Sequence, residues 1–166
     1  GKDKSFANEG TFAHEVAAAL LTGNDLPKSN AFSASAMADE VRPYVEYVRS
    51  LPGTLLVEQS LSIEPITGEA DAYGTADAVL VGDDELFVCD LKYGMGVKVD
   101  AVNNPQIAIY AGAALASFGG LLGDFKKIHA VIIQPRLDHV SEWVLSAEEL
   151  QSFLEKVTAC AATARA

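Results

Sequence analysis

The sequence predicts a single mixed α/β domain over residues 1–166, with one sheet of about five strands flanked by helices. Three observations carry that expectation. At 166 residues and 49% hydrophobic composition the chain can bury one substantial core, and no shift of composition divides it. Apolar residues fall into five strand-like stretches, the first of them alternating with a period of two. Around these lie segments of helical period that open on Ser, Thr or Asn.

In chain order, Thr11 caps a helix to about Leu21, with Val16, Ala17, Leu20 and Leu21 as its apolar stripe and His14 near its start. Asn24 to Ser35, with Pro27 and several Ser and Asn, reads as a loop. Ala36 to Ser50 reads as a second helix bent at Pro43 and ended by Leu51-Pro52-Gly53. From Thr54 the period becomes two: Leu55, Val57, Gln59, Leu61 and Ile63 alternate with Leu56, Glu58, Ser60 and Ser62. Thr67-Gly68-Glu69 turns the chain into a strand over about Ala72 to Val81, and Gly82 to Glu85 connects it tightly to a strand over Leu86 to Lys92. These three form an antiparallel meander. Asn104 caps the next helix with Pro105 at its first position, where no amide hydrogen is needed, and Gly119-Gly120 follows its end near Phe118. Ile128 to Gln134 and His139 to Leu145 are two more strands, and Ser146 with Glu149 has capping-box spacing for a last helix.

Composition excludes several classes. No stretch reaches the roughly 20 apolar residues of a membrane-crossing helix, since even Ile107 to Leu122 is broken by Gly, Ser and Tyr, so no membrane partner is expected. The two cysteines, Cys89 and Cys160, are too few for a disulfide framework, an iron–sulfur cluster or a sulfur-rich zinc site, which fits a reducing cytoplasm. The chain opens at Gly1 rather than Met, with no basic region followed by an apolar block, so an amino terminus trimmed from a longer protein is expected. A formal charge of −11 argues against nucleic-acid binding through a basic surface, although divalent cations offset clustered carboxylates locally.

Chemistry concentrates on the predicted hairpin. Gly74-Thr75-Ala76-Asp77 precedes Asp90-Leu91-Lys92, which sets two carboxylates and an amine on neighbouring strands. Side chains alternate along a strand, so Asp90 and Lys92 share a face, and the Leu91 carbonyl lies close to whatever Asp90 binds. Carboxylates beside a carbonyl suit Mg²⁺ or Mn²⁺, hard ions that polarise phosphoryl oxygens and acidify water. Lys92 is placed to orient the attacking water or to stabilise charge on a phosphate. A lone Asp-x-Lys is more often a solvent-facing ion pair. Here it ends the apolar run Leu86-Phe87-Val88-Cys89, which implies a cleft where desolvated groups have a ligand.

These residues resemble the RecB-like branch of the PD-(D/E)XK nucleases over about Glu9 to Leu115. Gly10-Thr11-Phe12-Ala13-His14 resembles the family's G-T-x-x-H motif, Gly74 to Asp77 its G-x-x-D motif, Asp90 to Lys92 its (D/E)-x-K motif, and Gln106 to Tyr110 its Q-x-x-x-Y motif. The stretch Asp90 to Val99, with Asn104-Pro105-Gln106, further resembles a phage subgroup of exonucleases. The resemblance implies a restriction-endonuclease-like core, metal ligation by His14, Asp77, Asp90 and the Leu91 carbonyl, and a catalytic Lys92. It also implies that Gln106 and Tyr110 contact DNA or support the site. An imidazole ligand would favour Mn²⁺ over Mg²⁺ relative to an all-oxygen site. Members that hold an iron–sulfur cluster carry cysteines that this chain lacks, so no cluster is expected.

The activity expected is hydrolysis of phosphodiesters in linear duplex or single-stranded DNA, as an exonuclease of phage recombination or processing. A recombinase or other phage protein is the expected partner class, and a homo-oligomer is open. Two alternatives stand beside it: a nuclease-fold binding module without turnover, which the acidic surface suits, and a structure-specific endonuclease. Glu58 is a further candidate ligand, though on the polar side of a strand a solvated glutamate is commoner. Tyr93 and Lys98, beside the glycines Gly94 and Gly96, are candidates to meet a DNA backbone. His129 and His139 read as structural and Trp143 as core.

Overall fold

Backbone hydrogen bonding in the computed structural model, which describes residues 8–94, 96–122 and 125–165, builds one five-stranded sheet. The elements run α1 (Glu9–Thr22), α2 (Ala34–Ser50), β1 (Thr54–Ser62), α3 (Glu64–Thr67), β2 (Tyr73–Val81), β3 (Glu85–Leu91), α4 (Pro105–Leu122), β4 (Lys127–Gln134), β5 (His139–Leu145) and α5 (Ala147–Arg165). Spatial order equals chain order. β1, β2 and β3 form the expected antiparallel meander, β3 and β4 are parallel with α4 as crossover, and β4 pairs antiparallel with β5. The domain is therefore a mixed α/β sheet flanked by helices.

Each sheet face has its own core. Phe12, Val16 and Ala17 of α1 and Val41, Tyr44 and Val48 of α2 pack on Leu80, Phe87, Cys89, Leu91, Val131 and Ile133. The opposite face buries Val79, Val81, Leu86, Val88, Ile128 and Ile132 against Ile107, Ala111 and Ala114 of α4 and Leu150 and Leu154 of α5. Trp143 meets Phe153 edge to face at 4.9 Å, a core position as expected.

Several boundaries differ from the sequence reading. Asn8, not Thr11, caps α1: its side chain accepts the Thr11 amide at 2.9 Å. Ser33 caps α2, which starts at Ala34, two residues before the expected start. A single helical turn, α3, precedes the Gly68 turn. α4 continues through Gly119 to Leu122, because glycine lowers helix stability by only about 1 kcal/mol and ends a helix reliably only where it adopts positive φ. The Ser146–Glu149 capping box forms reciprocally, at 3.0 and 3.1 Å.

The alternation of β1 also departs from expectation. Leu55 packs on the α1/α2 side, whereas Leu61 packs on the α4/α5 side, so they do not share a face. The break falls at Glu58, whose φ of 49° is left-handed. β2 breaks at the same level: Ala76 faces α4 while Ala78 faces α1 and α2. Val57 pairs with Ala78 and Gln59 with Ala76, which sets Glu58 opposite Asp77.

Candidate active site

That break decides where Asp77 points. Strict alternation would give it the α4 side, with Val79 and Val81; instead its Oδ2 lies 3.4 Å from His14 Nε2 on α1. Asp90 keeps the parity of Leu86 and Val88 on β3 and faces the α4 side, where Lys92 joins it. The β2–β3 ladder ends at Ala78–Cys89, and Asp77 and Asp90 are the next positions in register. There the Leu91 amide donates to Asp77 Oδ2 at 2.7 Å instead of continuing the ladder. The two carboxyl groups arrive from opposite faces at the gap, close enough for each to shift the other's proton affinity.

Lys92 Nζ is 2.9 Å from Asp90 Oδ2, with the two side chains 17% and 14% exposed, so this is not a solvated surface pair. The same ammonium donates to Gln106 Oε1 at 2.9 Å, on the first turn of α4. Tyr110, one turn further, lies against β2: a Cβ at Gly74 would fall 2.5 Å from its ring. The first glycine of Gly-x-x-Asp is thus needed for the close approach of α4, and Tyr110 supports the strand that carries Asp77. The structure brings His14 and the Leu91 amide to Asp77, and Asp90 and Gln106 to Lys92, while Tyr110 meets β2 at Gly74.

Protons distribute by environment. Burial pushes the Asp90 carboxyl up to about 7, the Asp77 charge adds to this, and Lys92 opposes it. Asp77 is held below its ordinary range: burial raises it, but His14 and the Leu91 amide stabilise its anion more. Two carboxylates in contact do not both ionise cheaply, so the pair retains a proton toward neutral pH, and it sits on Asp90. Burial alone would lower His14, yet the hydrogen bond and charge of Asp77 outweigh it and raise it to about 9, with Gly10 and Leu91 backbone contacts adding.

The donor chemistry fits a divalent cation. His14 Nδ1–H donates to the Gly10 carbonyl at 2.7 Å, which directs Nε2 toward Asp77, the usual second bond of a metal-ligating imidazole. His14, Glu58, Asp77 and Leu91 line a crevice of about 10 Å³, room for about one water or one ion. Among the described residues, no three His, Cys, Asp or Glu side chains stand in a preformed metal cage. Protons on Asp90 and His14 hold these donors to each other, and a cation would have to displace them.

Glu58 lines the crevice through its left-handed backbone, a placement that strand periodicity does not reveal. Tyr44 lines it too, a residue that sequence reasoning missed, and burial followed by the Asp77 charge raises its hydroxyl well above its ordinary value. Tyr93 is 5% exposed beneath the Arg136 guanidinium, 5.3 Å from its ring, so its ring is not offered on the surface. Lys98 is exposed on the segment that Gln134 pins by accepting from the Val99 amide and donating to the Val97 carbonyl. Sequence reasoning missed Gln134, a buried polar residue at the end of an apolar strand. His129, read as structural, stacks on Phe87 and lies 3.1 Å from Glu85 and 3.4 Å from Glu142, partners that come from neighbouring strands. His139 meets the Val99 carbonyl at 3.2 Å, a structural contact.

Fold and site together define an α/β domain with paired carboxylates and a lysine where an antiparallel ladder opens. The family described as a protein of unknown function, DUF2800, matches residues 1–166, and the chain belongs to it. That description names no activity. Among the described residues, no helix is long and apolar enough to cross a membrane.

Proposed function

We propose that this protein is a Mg²⁺- or Mn²⁺-dependent DNA nuclease. The observation that carries the reading is the meeting of Asp77 and Asp90 at the end of the β2–β3 ladder, with Lys92 Nζ 2.9 Å from Asp90. His14, Asp77, Asp90 and the Leu91 carbonyl would hold the ion, with Glu58 a further donor. When bound, the ion supplies Lewis acidity to a phosphoryl oxygen and acidifies water. Asp90, whose carboxyl is raised to about 7 without the ion, would release its proton when the ion binds. Lys92, steered by Gln106, directs a positive charge at the reacting phosphate. Gly74 and Tyr110 keep β2 and α4 in the packing that holds Asp77 in place.

The finer reading, an exonuclease of phage recombination or processing in the cytoplasm with a recombinase-like partner, follows from the motif resemblance. The −11 charge favours a second reading, a nuclease-fold module that binds without turnover. Incubating end-labelled linear duplex, single strands and closed circles with Mg²⁺, Mn²⁺ or chelator separates them. Loss of linear DNA with circles spared supports an exonuclease, cutting of circles an endonuclease, and no cleavage the binding module. Lys92→Ala is expected to lower cleavage by about 10²–10³-fold while ion binding persists. Unchanged cleavage in that variant refutes the site.

A further inference from the structure

A second cavity opens on the α1/α2 side of the sheet, the side from which His14 reaches Asp77. It measures about 480 Å³, within the range of small-molecule sites, and Tyr93, adjacent in the chain to Lys92, forms part of its wall. Arg136 and Tyr93 follow the carboxyl ends of the parallel strands β4 and β3, the end of an α/β sheet where ligands bind.

The lining divides by chemistry. Phe32 and Met37 give an apolar wall, with Met37 4% exposed. Arg136 stands over the Tyr93 ring, which orients its guanidinium by cation–π contact. Glu9 and Glu40 supply two carboxylates. Among the described residues, Arg136, Glu9 and Glu40 belong to no ion pair within 4.0 Å, although they share one cavity. Charges of both signs around an apolar wall complement a ligand with an anionic group, a flat ring and amino hydrogens.

We infer that this cavity receives one unpaired nucleotide at the end of the DNA strand being cleaved, its phosphate on Arg136, its base against Phe32 and Met37, and its exocyclic amine on Glu9 or Glu40. A guanidinium presents paired donors to phosphate oxygens, and a carboxylate accepts from the amino group of adenine or cytosine. Stacking on an apolar wall adds affinity without sequence readout. The inference rests on the nuclease reading for the identity of the strand. It adds that the substrate has a free, unpaired end, because a one-nucleotide cavity at the start of the helix that carries His14 has no use for an intact duplex.

The test titrates the full chain, with chelator present, with deoxyadenosine monophosphate, thymidine monophosphate and deoxyadenosine. Binding is read by nuclear magnetic resonance shifts. Saturable binding of deoxyadenosine monophosphate at millimolar concentration or below is expected, weakened about tenfold by Arg136→Ala and to a similar extent by removing the phosphate. Deoxyadenosine should bind Arg136→Ala and the native protein equally. Glu40→Gln, at an exposed position, should narrow the preference for adenine over thymine. No saturable binding, or binding indifferent to Arg136→Ala, overturns the inference whether or not the protein cleaves DNA. An oligonucleotide with an unpaired end should displace the mononucleotide while a blunt duplex should not; failure of displacement overturns the strand assignment in favour of a free nucleotide. Nucleotide binding with no cleavage by the native protein would instead overturn the nuclease reading and leave the cavity a nucleotide site.

Discussion

Replacing Asp90 with Asn removes one member of a buried carboxyl pair while nearly keeping its volume, and the consequence for stability depends on pH. The Asp90 carboxyl is raised from 3.8 to about 7, first by burial and second by Asp77. Because its folded-state value lies above its unfolded one, Asp90 favours folding most at low pH. That contribution disappears as pH rises through about 7. A shift of about three units corresponds to a total loss of about 4 kcal/mol, more than half of it between pH 5 and pH 8. Asparagine does not ionise and cannot lose it. Urea denaturation with chelator, followed by the single tryptophan, Trp143, should therefore find Asp90→Asn close to the native protein at pH 5 and more stable by about 2–3 kcal/mol at pH 8. Millimolar Mg²⁺ or Mn²⁺ should reverse the order at pH 8, since ligand that binds only the folded native protein stabilises it by mass action. A native-minus-variant difference that stays constant from pH 5 to pH 8 refutes the account of the pair.

Three further outcomes follow from the same geometry. Gln106→Leu removes the acceptor 2.9 Å from Lys92 Nζ and should lower kcat for DNA cleavage about tenfold or more with KM little changed, while Gln106→Glu, which keeps an acceptor, recovers part of it; equal loss in both variants refutes the steering role. Gly74→Ala sets a Cβ 2.5 Å from the Tyr110 ring and should destabilise the fold by about 1–3 kcal/mol in urea, with Tyr110→Leu in the same chain restoring much of it. Divalent-ion affinity, measured by calorimetry, should rise with pH until about 9, because the ion competes with protons on Asp90 and on His14, the latter raised to about 9; affinity that is flat from pH 6 to pH 9 removes both residues from the binding set.

The sheet was legible in the sequence because its signals are local. The run from Leu86 to Cys89, the Gly82 connection and the Ser146–Glu149 box each act within a few residues, and each forms as expected. Boundaries failed where two residue types compete for one role. Asn8 and Thr11 both cap helices well, and the choice falls to Asn8 because its carbonyl oxygen takes the Thr11 amide. Gly119-Gly120 resembles a stop, yet the helix passes through it, with none of the positive φ that ends α1 at Gly23.

The site was legible in part, and its hidden part has a physical reason. That Asp90 and Lys92 share a face is a matter of parity, and parity is written in the sequence. That Asp77 meets them is not, because parity assigns Asp77 to the face of Val79 and Val81, away from His14. Its turn toward His14 depends on the concerted break with Glu58, whose left-handed backbone is costly for a glutamate and has no local sequence signature. Here a local rule yields: the ladder gives up its next pair, the Leu91 amide goes to a carboxylate, and two acids are held in contact beside an imidazole and an ammonium. Each feature opposes stability when taken alone, and a domain with an ample two-faced core can sustain them together. The strain at Glu58 and the proton shared by Asp77 and Asp90 are then linked, since straightening β1 and β2 would return Asp77 to the α4 face and separate it from His14.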